Sequence, residues 1–149
     1  MRGWPKRAGR ERIRRPDPQL QAGAVSTEFS GAEGLRALLA RGLDFDAVFA
    51  ASDLIAIGAL RALAAAGRRV ADDVAVVGFD GIPMGAVARP ALTTISQETQ
   101  RAGEALVQSL INQIGGHPAE SMILAPRLVV RDSCGGASSV DSSVTSNID

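Results

Sequence analysis

Asp46-Ala47-Val48-Phe49-Ala50-Ala51-Ser52-Asp53-Leu54-Ile55-Ala56-Ile57-Gly58-Ala59-Leu60, followed by Val70-Ala71-Asp72-Asp73-Val74-Ala75-Val76-Val77-Gly78-Phe79-Asp80-Gly81, is the stretch that decides the fold. Residues 46–50 read as a short β run. Ser52-Asp53 then caps a helix over 54–66, since a side-chain oxygen placed there accepts an orphan amide of the first turn, and Gly67 closes it. The helix is apolar nearly all round (Leu54, Ile55, Ile57, Leu60, Leu63), which predicts burial on more than one side. Residues 74–78 are a continuous apolar run, the pattern of a parallel strand covered on both faces. Strand, helix and strand in this order predict an α/β layered domain, its mostly parallel sheet flanked by helices.

Upstream, Ala24-Val25-Ser26-Thr27-Glu28-Phe29 reads as a strand ending at Ser30-Gly31-Ala32-Glu33, an S-x-x-E capping box. The helix behind it sets Leu35, Leu38 and Leu39 on one face and stops near Gly42. Downstream, Leu92-Thr93-Thr94-Ile95 is extended, and 97–114 is an amphipathic helix aligning Ala102, Leu106, Leu110 and Ile114. Met122-Ile123-Leu124 and Leu128-Val129-Val130 are two strand candidates parted by Pro126. From Ser133 to the end the sequence holds six serines, two glycines and no aromatic residue, so 133–149 is expected to be a disordered tail. In parallel sheets ligands bind beyond the carboxyl ends of the strands. That directs attention to the loops after Phe29, Ala50 and Gly78.

The chain has 149 residues, 46% of them hydrophobic and 21% charged, an ordinary composition for one globular domain. Lysine plus arginine and aspartate plus glutamate are each 16, which excludes a uniformly basic nucleic-acid binder. The balance hides a split. Residues 1–15 carry seven cations against Glu11, a charge of +6, leaving −6 for the rest. Residues 1–21 are therefore either a basic arm for nucleic acid or membrane, or an arginine-rich, degraded first helix. Only Trp4 interleaves those charges, so no stacking platform for single strands is present.

The lone Cys134 rules out an intrachain disulfide or a cysteine-based zinc site. No apolar run approaches the ~20 residues of a membrane span, and no secretory leader is visible. A soluble cytoplasmic protein is expected. The only histidine, His117, lies in the turn Gly115-Gly116-His117-Pro118 with no metal-ligand partner at useful spacing, and Asp72-Asp73 reads as a solvated turn. G-x-S-x-G, Walker A and G-x-G-x-x-G motifs are absent. Neither an enzyme nor a cofactor nor a metal site is expected.

Four segments in order, the two quoted first together with Pro90-Ala91-Leu92-Thr93-Thr94-Ile95-Ser96-Gln97 and Leu128-Val129-Val130-Arg131-Asp132-Ser133, resemble the carboxyl-terminal half of the LacI/GalR family of transcriptional repressors. The resemblance implies a type I periplasmic-binding-protein-like C-terminal subdomain over 22–132. It implies a truncated member, with the helix-turn-helix, the hinge and the amino-terminal sensor subdomain preceding this segment. The implied function is to sense a small effector, a sugar or nucleoside, with DNA bound only through the preceding domain. Two alternatives stand beside it: a solute-binding protein feeding a sugar transporter, which shares the fold, and a non-functional gene fragment.

Residue by residue, the resemblance assigns Asp80 to accept hydrogen bonds from effector hydroxyls, the alternative being a turn aspartate. Ser52 stands where the family has a ligand-reaching asparagine, and either contacts ligand or serves only as helix cap, while Asp53 beside it matches the family's aspartate and, though grouped with the ligand-side residues, reads as structural. Phe29 matches a stacking aromatic or is core. Gln97 and Thr99 match positions near the cleft hinge, and Gln97 has the alternative of capping the next helix. Lys6 falls where an arginine clamps the effector, but an ammonium lacks the bidentate fork. Family members dimerise through the helix after Asp53, which assigns Ile57, Leu60 and Arg61 to an interface between two copies, with burial against the sheet as the alternative.

Overall fold

The computed structural model describes residue 18 and residues 21–42, 44–118 and 121–136. Lys6, the basic arm and positions 137–149 lie outside these, with the readings placed on them.

Helix α1 (Glu28–Ala40) begins one turn earlier than the S-x-x-E signal predicts. Its cap is Thr27, in extended conformation, whose hydroxyl accepts from Ser30 N at 3.1 Å. The expected strand over 24–29 is not formed: residues 21–25 are irregular and Phe29 sits in the first helical turn. The reason is tertiary. Gly31, Ala32 and Leu35 are buried, and burying Gly31 requires helix in the turn that contains Phe29. Glu33, expected in the capping box, pairs instead with Arg36.

Strand β1 (Ala47–Phe49) leads to α2 (Asp53–Ala65). Ser52 caps α2 as expected, its hydroxyl accepting from Ile55 N at 3.3 Å. The helix closes in a Schellman motif, with Arg68 N donating to Leu63 O and Gly67 N to Ala64 O, both at 3.0 Å, around Gly67 at φ +70°. The helices α1 and α2 cross on their smallest residues. A methyl group at Gly31 would overlap the Ile55 carbonyl, and one at Gly58 the Glu28 carbonyl. Leucines 35, 60 and 63 with Ile57, Val74, Val76 and Leu92 form the core that this crossing seals against the sheet.

Strand β2 (Ala75–Asp80), a short helix α3 (Pro83–Val87) that the sequence reading did not anticipate, strand β3 (Thr93–Ser96), helix α4 (Thr99–Ile114) and strand β4 (Arg127–Val129) complete the domain. The sheet runs β1-β2-β3-β4. β1 and β3 are parallel to β2, and β4 is antiparallel to β3 with Thr94 opposite Val129. The expected strand at 122–124 is absent, and Met122 and Ile123 are exposed. The aligned residues Leu106, Leu110 and Ile114 of α4 are exposed too.

Ser133 does not begin a tail. Residues Asp132–Cys134 form a turn of 3₁₀ helix, and the buried Ser133 hydroxyl donates to Val76 O at 2.6 Å and accepts from Thr93 N at 2.8 Å. It extends the β2–β3 ladder by one rung. Composition alone hid this, because one serine among six carries the bond.

Candidate functional site

The parallel strands β1, β2 and β3 direct their carboxyl ends to one edge of the sheet, where an open α/β sheet receives ligands. Asp80 closes β2 there. Its φ is +112°, a conformation non-glycine residues rarely hold, and Gly81 follows at +78°. Backbone strain of this kind concentrates where the surrounding structure must aim a side chain. The Asp80 carbonyl accepts from Gln97 N at 3.3 Å, and its Oδ1 accepts from Gln97 Nε2 at 3.0 Å. The amide of Gln97 is thereby committed to Asp80, which excludes its alternative as the cap of α4; the cap residue is Glu98. Asp80 Oδ2 accepts no hydrogen bond among the described residues. Asp80 lines a polar hollow of about 530 Å³ together with Ser96, Gln97, Thr99 and Arg101.

Asp53 does not reach this hollow. It is 0% exposed, and both carboxylate oxygens are taken: Oδ1 by the Thr94 hydroxyl at 2.6 Å, Oδ2 by the Ile82 amide at 2.8 Å. It is an anchor beneath the site, tying the start of α2 to β3 and to the loop after Asp80, in keeping with its reading as a structural residue. Gly78 makes room for it, since a methyl there would overlap Asp53 Oδ1. Ser52 is 5% exposed and accepts from both Ile55 N and the Ser26 hydroxyl, the latter at 2.7 Å.

Phe29 is 76% exposed on α1, which removes its reading as core. It lines a shallow surface hollow with Val25, Ser30 and Glu33, separate from the one at Asp80. Ile57 and Leu60 are each 4% exposed, so their side chains serve chiefly the core. Arg61 is exposed and pairs with Glu28. These three line a hollow of about 350 Å³ with Met84, Val87, Ala88 and Arg89. Met84 and Val87, the exposed apolar groups there, were missed because Pro83 at the start of a five-residue helix gives too short a period to read.

A further groove of about 470 Å³ beside β1 is lined almost wholly by apolar residues, among them Leu35, Leu38, Val48, Phe49 and Ile55. It offers little to a hydroxylated ligand. Among the described residues no three histidine, cysteine or acidic side chains are grouped as a metal would need.

The periplasmic binding protein-like domain family matches residues 3–134. The chain is 44% identical over 106 residues to the HTH-type transcriptional regulator CelR of Thermobifida fusca, covering 70% of this chain and 31% of that protein. The structure of a CelR–cellobiose complex superposes with a TM-score of 0.73 at 42% identity, over 78% of this chain and 36% of the other. A LacI family transcriptional regulator from Arthrobacter sp. FB24 in complex with lactose gives a TM-score of 0.69 at 36% identity, over 74% and 42%. The chain thus spans about a third of the length of this curated relative.

Proposed function

The chain belongs to the LacI family of transcriptional regulators, within its periplasmic binding protein-like domain, and on that premise we propose that it forms part of the effector-sensing domain of a sugar-responsive regulator. Asp80 carries the reading. A carboxylate with one oxygen held by Gln97 and the other open accepts hydroxyl donors in a fixed direction, which a saccharide supplies in number. The cellobiose and lactose bound by the two solved relatives favour a disaccharide. Gln97 holds the carboxylate and Thr99 lines the same hollow.

Sensing requires that the effector bind two conformations unequally. The loops after β2 and β3, joined through Asp80 and Gln97, are where this chain would register that difference. DNA is contacted through a helix-turn-helix outside this segment, in the cytoplasm. Among the described residues no helix is long and apolar enough to cross a membrane. Two copies pair through the face of Met84 and Val87, with Arg61, Ile57 and Leu60 beside it.

Calorimetric titration of the 149-residue chain with cellobiose and with lactose tests the reading. Saturable binding is expected, weakened about tenfold or more by Asp80→Asn, as losing a charged acceptor implies. Absence of binding by both sugars, or an Asp80→Asn variant that binds as tightly as wild type, overturns it.

A further inference from the structure

Strands β2 and β3 run parallel with Asp80 opposite Ser96, and two residues back Gly78 is opposite Thr94. Residues two apart on a strand share a face of the sheet, so Ser96 lies on the side that Thr94 occupies, with Asp80 as its cross-strand neighbour. The inner position on that face is closed: Thr94 is buried and its hydroxyl is spent on Asp53 Oδ1. The outer one is not. Ser96 is half-buried and lines the same hollow as Asp80, yet its hydroxyl has no hydrogen-bond partner among the described residues. Gly81 leaves the room it stands in, since a methyl group there would lie 2.6 Å from Ser96 Oγ. The long side chains that line the hollow are paired with one another: Gln97 Nε2 donates to Asp80 Oδ1, Gln100 Nε2 to Glu104, and the Arg101 guanidinium to Glu98. Thr99 also carries a hydroxyl, but on the exposed first turn of α4 rather than on the sheet.

From this arrangement we infer that Ser96 is a specificity-determining contact of the hollow. Its hydroxyl donates to the oxygen of a saccharide hydroxyl that itself donates to Asp80 Oδ2. The inference rests on the sugar-sensing reading above and deepens it by naming the group that is selected. A carboxylate only accepts, whereas a serine hydroxyl also donates. An acceptor beside a donor matches a hydroxyl, which gives one hydrogen bond and takes one. It mismatches an ether oxygen, which has no proton to give.

The test is calorimetric titration of the 149-residue chain with cellobiose and with lactose, on wild type, Ser96→Ala, Asp80→Asn and the double variant. Ser96→Ala should weaken binding about fivefold, the worth of one neutral hydrogen bond. Its urea midpoint should stay unchanged, because the hydroxyl bonds nothing within the chain. The double variant should lose less than the product of the two single losses, since each single change breaks the same bridge. Binding by Ser96→Ala as tight as wild type, with Asp80→Asn weakened, overturns the assignment and leaves the sensing reading standing. A Ser96→Ala variant whose midpoint falls in proportion to its binding assigns Ser96 a structural role and overturns it too. Losses that multiply place the two residues on different ligand groups, which overturns the shared hydroxyl. Absence of binding of both sugars by wild type overturns the sensing reading, and the assignment with it.

Discussion

The Thr94 hydroxyl donates to Asp53 Oδ1 at 2.6 Å with both residues fully buried, so one hydrogen bond joins the start of α2 to the middle of β3 under the candidate site. The other oxygen of Asp53 holds the Ile82 amide. Removing the carboxylate strands two donors away from water. Asp53→Ala is expected to cost about 3 kcal/mol and Thr94→Val less, about 1.5 kcal/mol, because the latter deletes one donor and keeps the volume. Urea denaturation of both and of the double variant checks this. Additive losses would show that the two residues do not act as a pair.

Asp80 holds a strained φ of +112°. Glycine there relieves strain of about 1–3 kcal/mol against about 1 kcal/mol of added chain entropy, so Asp80→Gly should gain about 1 kcal/mol in stability. The same substitution should abolish sugar binding. Thermal melts and calorimetry on one preparation test both halves, and a destabilised Asp80→Gly refutes the strain argument.

The crossing of α1 and α2 predicts opposite signs for two glycine-to-alanine changes. Gly58→Ala drives a methyl into the Glu28 carbonyl, which should cost about 2 kcal/mol even after the helix-propensity gain. Gly103→Ala on α4 meets open space and should stabilise by about 1 kcal/mol. Chemical denaturation midpoints that move in the same direction would contradict the described crossing.

Ser133 bridges Val76 O and Thr93 N. Ser133→Ala is expected to lose about 2 kcal/mol, since it leaves a buried acceptor and a buried donor unpaired. A chain ended at residue 132 should lose at least as much, measured by its melting temperature. An unchanged melt for that truncation would restore Ser133 to the tail.

The Arg69 guanidinium hydrogen-bonds Asp73 (Nη2 to Oδ1, 2.7 Å) and, with the Arg69 amide, holds the Asp73 carboxyl below its ordinary value. A group depressed in the folded state stabilises above its unfolded pKa, and that contribution disappears as pH falls through the folded one. Asp73→Asn should therefore lower stability at neutral pH and flatten the acid limb of the stability curve below the carboxylate range. Carbon-detected titration of the Asp73 carboxyl locates its midpoint, and an ordinary value would refute the pairing.

Much of this architecture was legible in the residues. The apolar run at 74–78, the Ser52 cap and the Gly67 stop are local signals, and each element formed where its signal lay. The misreadings came where a distant contact outvoted a local pattern. Ala24-Val25 alternates like a strand, yet the Gly31–Gly58 crossing, between residues far apart in sequence, pulls helix back to Thr27. At the candidate site Asp80 and Gln97 could be named from the resemblance and meet in space. The partners of Asp53, Thr94 and the Ile82 amide, could not be read, because they are brought to it by the strand register and not by sequence spacing.

The buried Asp53 anchor separates what holds the loops from what they show to the outside. Gln97 and Thr99 are exposed and bear little of the fold's stability, whereas Asp53, Thr94 and Gly78 lie buried beneath them and bear much of it. Mutations can therefore accumulate at the rim without tripping the folding threshold. Such a scaffold is evolvable: one frame can carry different rims, altered by a single hydroxyl or amide at a time, each change viable on its own.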